Sequence, residues 1–161
     1  MGQAMSWAVL LAAIGSGLLG GFFFAFSNTV MAGLGRIDAP SGVAAMQAIN
    51  VVVQNPLFFL AFFGVPLISA ILAATALFGT AQPGALWILC GAVLIVAGMF
   101  GVTVAANVPM NEALAGMDPA SPAAADYWTV YLDRWTMWNH VRTVACLAAA
   151  LAFTLAYRAM P

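Results

Sequence analysis

The chain has 161 residues, 65% of them hydrophobic and only 6% charged, with four arginines, no lysine and a net charge of −1. A soluble domain carries about 25% charged residues, so this chain lacks the polar side chains to cover a water-facing surface and reads as an integral membrane protein. The length suits a single domain of several spans with no separate soluble part, and the missing basic face excludes nucleic acid as a partner.

The first apolar run, about Trp7 to Met31, is too long for a signal-peptide core, and Met1 to Ser6 hold no Lys or Arg. It reads as a retained first span. Gly17 and Gly21 stand in GxxxG spacing, which lets membrane helices approach closely. The cluster Phe22, Phe23, Phe24 and Phe26 covers several helix faces, so part of it must meet lipid. Ser27 and Asn28 mark the polar end of the run. A Gly- and Pro-rich loop follows from Gly33 to Gly42, and residues 43–54 read as an extramembrane helix. Asn55-Pro56 offers a cap and a proline at the first helical position of a second span, about Leu57 to Phe78.

Gly79 to Gly84 is a short uncharged connector that makes the second and third spans antiparallel neighbours. The third span runs about Leu86 to Val108, with Pro109 near its exit. Asn107 and Asn111 share one helical face, beside Glu112. After a second loop, Ser121-Pro122 starts a helix that can continue to about Arg158. Its ~35 residues would reach roughly 50 Å, longer than the ~30 Å hydrocarbon layer. Residues 122–137 are therefore expected outside the membrane core, with the fourth span at 138–157. Cys90 and Cys146 sit in apolar runs without metal-ligand spacing and read as small buried hydrophobes. The expected fold is an all-α, antiparallel four-helix transmembrane bundle with helical extensions at one end.

Alternating spans bring the end of the first, the start of the second, the end of the third and the start of the fourth to one side. The polar residues gather there: Gln47, Asn50 and Gln54; Asn107, Asn111 and Glu112; Asn139, His140 and Arg142. One mouth is elaborated and the other end is plain. At 100° per residue, Tyr127, Tyr131, Trp135, Trp138 and Arg142 form one stripe with Asn139 at its edge. His140 falls on the opposite face with Asp133. Arg142 under an aromatic stripe suits a planar ligand carrying an anionic oxygen. The bland alternative is an interfacial anchor, with arginine snorkelling to lipid phosphates and asparagines bridging helices. No metal site is expected, and a single histidine rules out a bis-His haem. Haem and quinone stay open as ligands, and a homo-oligomer is compatible with the pattern. Arg36 and Arg134 on the mouth side place the mouth in the cytoplasm by the positive-inside rule.

Five segments occur in an order that resembles one family. They are Val30-Met31-Ala32-Gly33-Leu34, Ala45-Met46-Gln47-Ala48-Ile49-Asn50, Asn55-Pro56, Asn107-Val108-Pro109-Met110-Asn111 and Trp135-x-x-Trp138-Asn139-x-x-Arg142-Thr143. Together, over about Gly17 to Ala150, they resemble the anthrone oxygenase-like family of small four-span membrane proteins. Ala32 departs from the proline expected there. The resemblance implies a bacterial plasma-membrane protein and oxidation of a lipophilic aromatic by O2 without a cofactor. On that reading Arg142 and Asn139 clamp the developing oxyanion, with Glu112 or His140 as base. Tyr131, Trp135 and Trp138 build the pocket, and Asn107, Asn111, Gln47 and Asn50 position the substrate. The competing classes are a non-enzymatic membrane module that binds a quinone, lipid or haem or serves a larger complex, and a small transporter. The lack of repeats or broken central helices argues against the transporter.

Overall fold

A computed structural model of the protein describes residues 2–78 and 83–160, and no strand occurs among them. Five helices follow in order: α1 (Gly2–Leu34), α2 (Ala39–Val52), α3 (Pro56–Phe78), α4 (Ala85–Ala115) and α5 (Pro122–Ala159). All but α2 are long and apolar enough to cross a membrane. Residues 79–82, most of the expected connector between the second and third spans, lie outside the described residues.

The four long helices form an antiparallel bundle in ring order. Gly15 of α1 packs on Val65 of α3, while Gly20 of α1 approaches Cys146 and Leu147 of α5. Phe62 of α3 meets Phe100 of α4 with ring centroids 5.5 Å apart. Gly98 and Gly91 of α4 lie against Ala145 and Phe153 of α5. A methyl group added at Gly91 would sit 2.8 Å from the Phe153 ring, so this glycine sets the distance between the two helices. The pair flagged by spacing, Gly17 and Gly21, faces open space instead. Lipid-side glycines and helix-packing glycines look alike in sequence, and only the neighbouring helix tells them apart.

Helix starts follow local chemistry. The Asp38 carboxylate accepts the Ser41 N–H at 3.0 Å, so α2 begins at Ala39 inside the expected loop, with Pro40 in its first turn. Asn55 Oδ1 accepts the Phe58 N–H at 3.1 Å ahead of Pro56, and Ser121 Oγ accepts the Ala124 N–H at 3.2 Å ahead of Pro122. Gly84, at φ 83°, holds a left-handed turn that begins α4, and its Cα leaves no room for a side chain against the Ala156 carbonyl.

Two helices outrun their sequence limits. α1 passes through Ser27 and Asn28 as π-helical turns, Phe26–Met31, before ending at Leu34. α4 passes Pro109 and continues to Ala115, with Pro109 in the first turn of an α-helical stretch that follows π-helical turns at Leu94–Gly101 and Thr103–Asn107. Such turns widen a helix and frequently occur at functional sites. Phe26–Met31 and Thr103–Asn107 lie at the polar end of the bundle, while Leu94–Gly101 packs in the main core.

α2 caps that end. Gln47 Nε2 donates to the carbonyls of Leu114 at 2.8 Å and Met117 at 2.9 Å, tying α2 to the last turn of α4. Its Gly42 lies flat on the Trp128 ring of α5. A second apolar cluster, with Met31, Val43, Met46, Leu114 and the α5 aromatics, forms beneath this cap, above the main core of the bundle.

Candidate functional site

Between the capped end and the main core lies a cavity of about 480 Å³, within the size range of small-molecule sites. Its walls are largely phenylalanine. Phe22, Phe23 and Phe26 come from α1, Phe58, Phe59, Phe62 and Phe63 from α3, and Phe100 from α4. The polar lining is sparse: Gln47 and Asn50 from α2, Gln54 from the link after it, Thr103, Asn111 and Glu112 from α4, and Arg142 from α5.

Arg142 is the chemical centre of this lining. It is 5% exposed, and its guanidinium carbon sits 4.3 Å from the centre of the Phe23 ring and 5.2 Å from that of Trp135. Nη2 donates to Asn139 Oδ1 at 2.6 Å and Nη1 to Thr103 Oγ1 at 3.3 Å, while Nε has no partner. Both bonds go to neutral oxygens. Asn139, fully buried, fixes the geometry from behind: its Nδ2 donates to the Phe23 carbonyl and to Ser27 Oγ, each at 2.6 Å. The polar pair Asn139–Ser27 thus locks α5 to the π-helical part of α1, and leaves Asn139 Oδ1 free to hold the arginine.

A second polar node lies one layer toward α2. Tyr131 Oη and Trp135 Nε1 both donate to Asn111 Oδ1, each at 2.7 Å. Trp128, Tyr131 and Trp135 stack along α5, with centroids 5.5 Å and 5.9 Å apart and planes within 18°. Only the Trp135 end of this ladder reaches the cavity. Asn50, at the α2 side, lines the cavity with its Nδ2 unpartnered.

The residues singled out by sequence therefore divide. Arg142, Trp135, Asn111, Glu112, Gln47 and Asn50 share the cavity. Tyr131 and Asn139 stand behind its wall and position the groups that do. Asn107 is buried and bridges α4 to α5, its Nδ2 donating to the Trp135 carbonyl at 3.2 Å. Trp138 and His140, expected in the pocket and as a base, are placed apart from the cavity: Trp138 is 36% exposed, His140 is exposed on the outer face, and neither lines it. The inward face of α5 runs Trp128, Tyr131, Trp135, Asn139, Arg142, at steps of three, four, four and three. That stripe centres near Trp135, with Tyr131 and Asn139 at its two edges, so Trp138 falls just outside it and His140 falls on the far side. Of the two bases considered, only Glu112 remains at the cavity. Among the described residues no group of His, Cys, Asp and Glu is placed to hold a metal ion.

Sequence reasoning missed most of the wall. Phe58, Phe59, Phe62 and Phe63 carry a readable signal, two aromatic pairs four apart on adjacent helical positions. Thr103 carries another, standing four before Asn107 and eight before Asn111. Ser27 was marked only as a helix end.

An all-helical bundle with four membrane-length helices, closed over a buried arginine in an aromatic cavity, defines a small multi-span membrane protein with an internal ligand-sized site. The chain belongs to the anthrone oxygenase family, whose model matches residues 58–152. That stretch contains α4, nearly all of α3 and most of α5, and with them Thr103, Asn111, Glu112, Trp135, Asn139 and Arg142. No protein of curated function and no solved structure matches the chain.

Proposed function

We propose that the protein is a membrane oxygenase that binds a lipophilic, oxygen-bearing aromatic in the phenylalanine cavity and oxidises it with O2. The observation that carries this reading is Arg142, a buried cation whose protein partners are all neutral and whose Nε is idle, at the inner end of an aromatic cavity. Family membership supports oxygenase chemistry, and the aromatic walls support a flat substrate.

Chemically, a methylene group flanked by aromatic rings and conjugated to a ring carbonyl is a carbon acid. Removal of one proton places negative charge on that oxygen, where Arg142 stabilises it more than it stabilises the neutral ground state. Glu112, the carboxylate at the cavity, takes the proton. The electron-rich carbon then reacts with O2 to form a C–O bond, and protonation gives a hydroperoxide. Loss of water leaves a new carbonyl, so substrate plus O2 yields ketone plus H2O. Phenylalanine walls exclude water and strengthen the electrostatic effect of the arginine. Asn50 Nδ2 and Gln47 hold the substrate at the α2 side. We place the protein in the bacterial plasma membrane with the capped end toward the cytoplasm, because Arg36 and Arg134 lie at that end.

The test is oxygen uptake by protein in lipid nanodiscs given a tricyclic anthrone. Arg142→Ala should reduce turnover by roughly 10²–10³, the effect of losing one oxyanion donor. Arg142→Lys should restore only part, because a point charge lacks the planar fork. Unchanged turnover in Arg142→Ala would refute the clamp. The rival reading, a module that holds a quinone, lipid or haem without turning it over, draws on the cavity's having only one carboxylate and no other base. It would be favoured by a stoichiometric co-purifying ligand in an absorbance or mass spectrum together with no oxygen uptake.

A further inference from the structure

The cavity lining reaches the outer surface in two places of different chemistry. Toward α2 its lip carries Gln54 and Glu112, both exposed and polar. The other lies between α3 and α4. These helices pack together along the Leu94–Gly101 turns, with Phe62 and Phe63 on Phe100. Beyond Gly101 they part, and α4 follows α5 instead, through Thr103 to Arg142, Asn107 to Trp135 and Asn111 to Tyr131. The other walls are shut by ring contacts, Phe22 on Phe58 at 5.3 Å and Phe26 on Trp135 at 6.0 Å.

The gap is framed by Phe59, Phe63, Val104 and Val108, each of which lines the cavity and is also open to the outside, Phe63 at 52% and Val104 at 54%. Phe63 lies seven residues into α3, about 10 Å below its start at 1.5 Å per residue. At that depth the outside of a 23-residue apolar helix is hydrocarbon. The frame contains no side-chain polar atom.

We infer that the cavity is loaded sideways from the lipid phase, through the slot between α3 and α4, by an amphiphilic aromatic whose polar end leads in toward Arg142. A lipophilic ligand is concentrated in the bilayer before it meets the protein, and the apolar frame lets it pass without desolvating any protein group. The polar lip then serves water, protons and the Glu112 end of the site. The inference rests on the cavity's being a ligand site, and is independent of whether the ligand is turned over.

The test uses 1-hydroxypyrene, a membrane-partitioning aromatic phenol, with its binding followed by energy transfer from the protein's tryptophans in proteoliposomes. Saturable transfer that weakens in Arg142→Ala reports the ligand site itself. The route is read from rates. Val104→Phe should slow association and release together by about tenfold, and Val104→Ala should speed both, with the ratio of the two rates nearly constant. Gln54→Phe, which narrows the polar lip and also touches the cavity lining, should slow both rates far less than Val104→Phe does. Slow exchange in Gln54→Phe with normal exchange in both Val104 variants would overturn the lateral route and keep the ligand site. Absence of saturable transfer in the unaltered protein would overturn both.

Discussion

Replacing Asn139 by leucine, which has the same branching and the same number of side-chain heavy atoms, isolates the polar joint on which the site depends. Three bonds of 2.6 Å disappear: two from Nδ2, to the Phe23 carbonyl and Ser27 Oγ, and one from Arg142 Nη2 to Oδ1. Hydrogen bonds between membrane helices average about 0.6 kcal/mol, and one to a charged group contributes about 1.5–3 kcal/mol. The expected loss is therefore about 3 kcal/mol, most of it from stranding the guanidinium. In an Arg142→Met background the charged bond is already gone, and the same replacement should cost only about 1 kcal/mol. The coupling between the two positions is then about 2 kcal/mol, well above the scatter for independent sites. Unfolding in mixed micelles with rising SDS fraction, followed by far-ultraviolet circular dichroism, measures all four corners of the cycle. A coupling under about 0.5 kcal/mol would show that Asn139 holds the helices together and does not hold the arginine.

Two further expectations probe the frame around the site. Gly91→Ala should destabilise by about 1–3 kcal/mol, because the added methyl meets the rigid Phe153 ring at 2.8 Å, whereas Gly17→Ala meets nothing and should be neutral or stabilising in the same micelle titration. Asp38 caps α2 from a fully exposed position, and the Ser41 N–H holds its carboxyl below the ordinary carboxylate range. A depressed folded value means the cap's contribution is complete above the unfolded value and fades as pH falls through the folded one, below about pH 4. Amide exchange in α2 should accelerate there in the parent protein. Asp38→Asn, which keeps an oxygen on the Ser41 N–H, should show no such dependence, and equal acid sensitivity in both would remove Asp38 as its cause.

The bundle was legible because lipid leaves a chain few choices. Apolar runs of about twenty residues must be helices, and alternation of direction then decides which ends meet. That logic alone gathered Gln47, Asn50, Asn111, Glu112 and Arg142 at one end, where the structure has them lining one cavity. What it could not resolve was rotation about the helix axis by half a residue. Trp138 and Asn139 are neighbours in sequence at the edge of one stripe, and a 100° step decides which is the anchor and which meets the outside. The phenylalanine walls were hidden for a related reason. In a soluble protein a phenylalanine points inward, but in a membrane helix either face accepts one, so Phe24 and Phe23 look equivalent until neighbouring helices are in place. The π-helical turns were hidden more deeply, since nothing in Phe26–Met31 or Leu94–Gly101 breaks an α-helix locally.

Whether Arg142 is an anchor or a ligand-binding group turns on its unused capacity. A guanidinium has five N–H donors, and this one gives two hydrogen bonds, to Asn139 and Thr103. An arginine that serves only as an interfacial anchor extends to lipid phosphates and stays wet. Here the side chain is 5% exposed and drawn inward over Phe23. Placing a cation at such depth costs roughly 2.5–3.5 kcal/mol by insertion scales. Two cation–π contacts at about 0.5–2 kcal/mol each come near to offsetting this, and the bond to Asn139 closes most of the remainder. The arginine's own contacts therefore come close to balancing its burial, with Nε and two further N–H groups not hydrogen-bonded. In the proposed reaction an oxyanion would meet a donor fork that is already buried and already oriented by Asn139 and Thr103, so little of the interaction would be lost to reorganisation. Leucine at this position would pack against the same rings without any desolvation cost. We therefore read the arginine as kept for a partner that is negative, or becomes negative, in the proposed reaction.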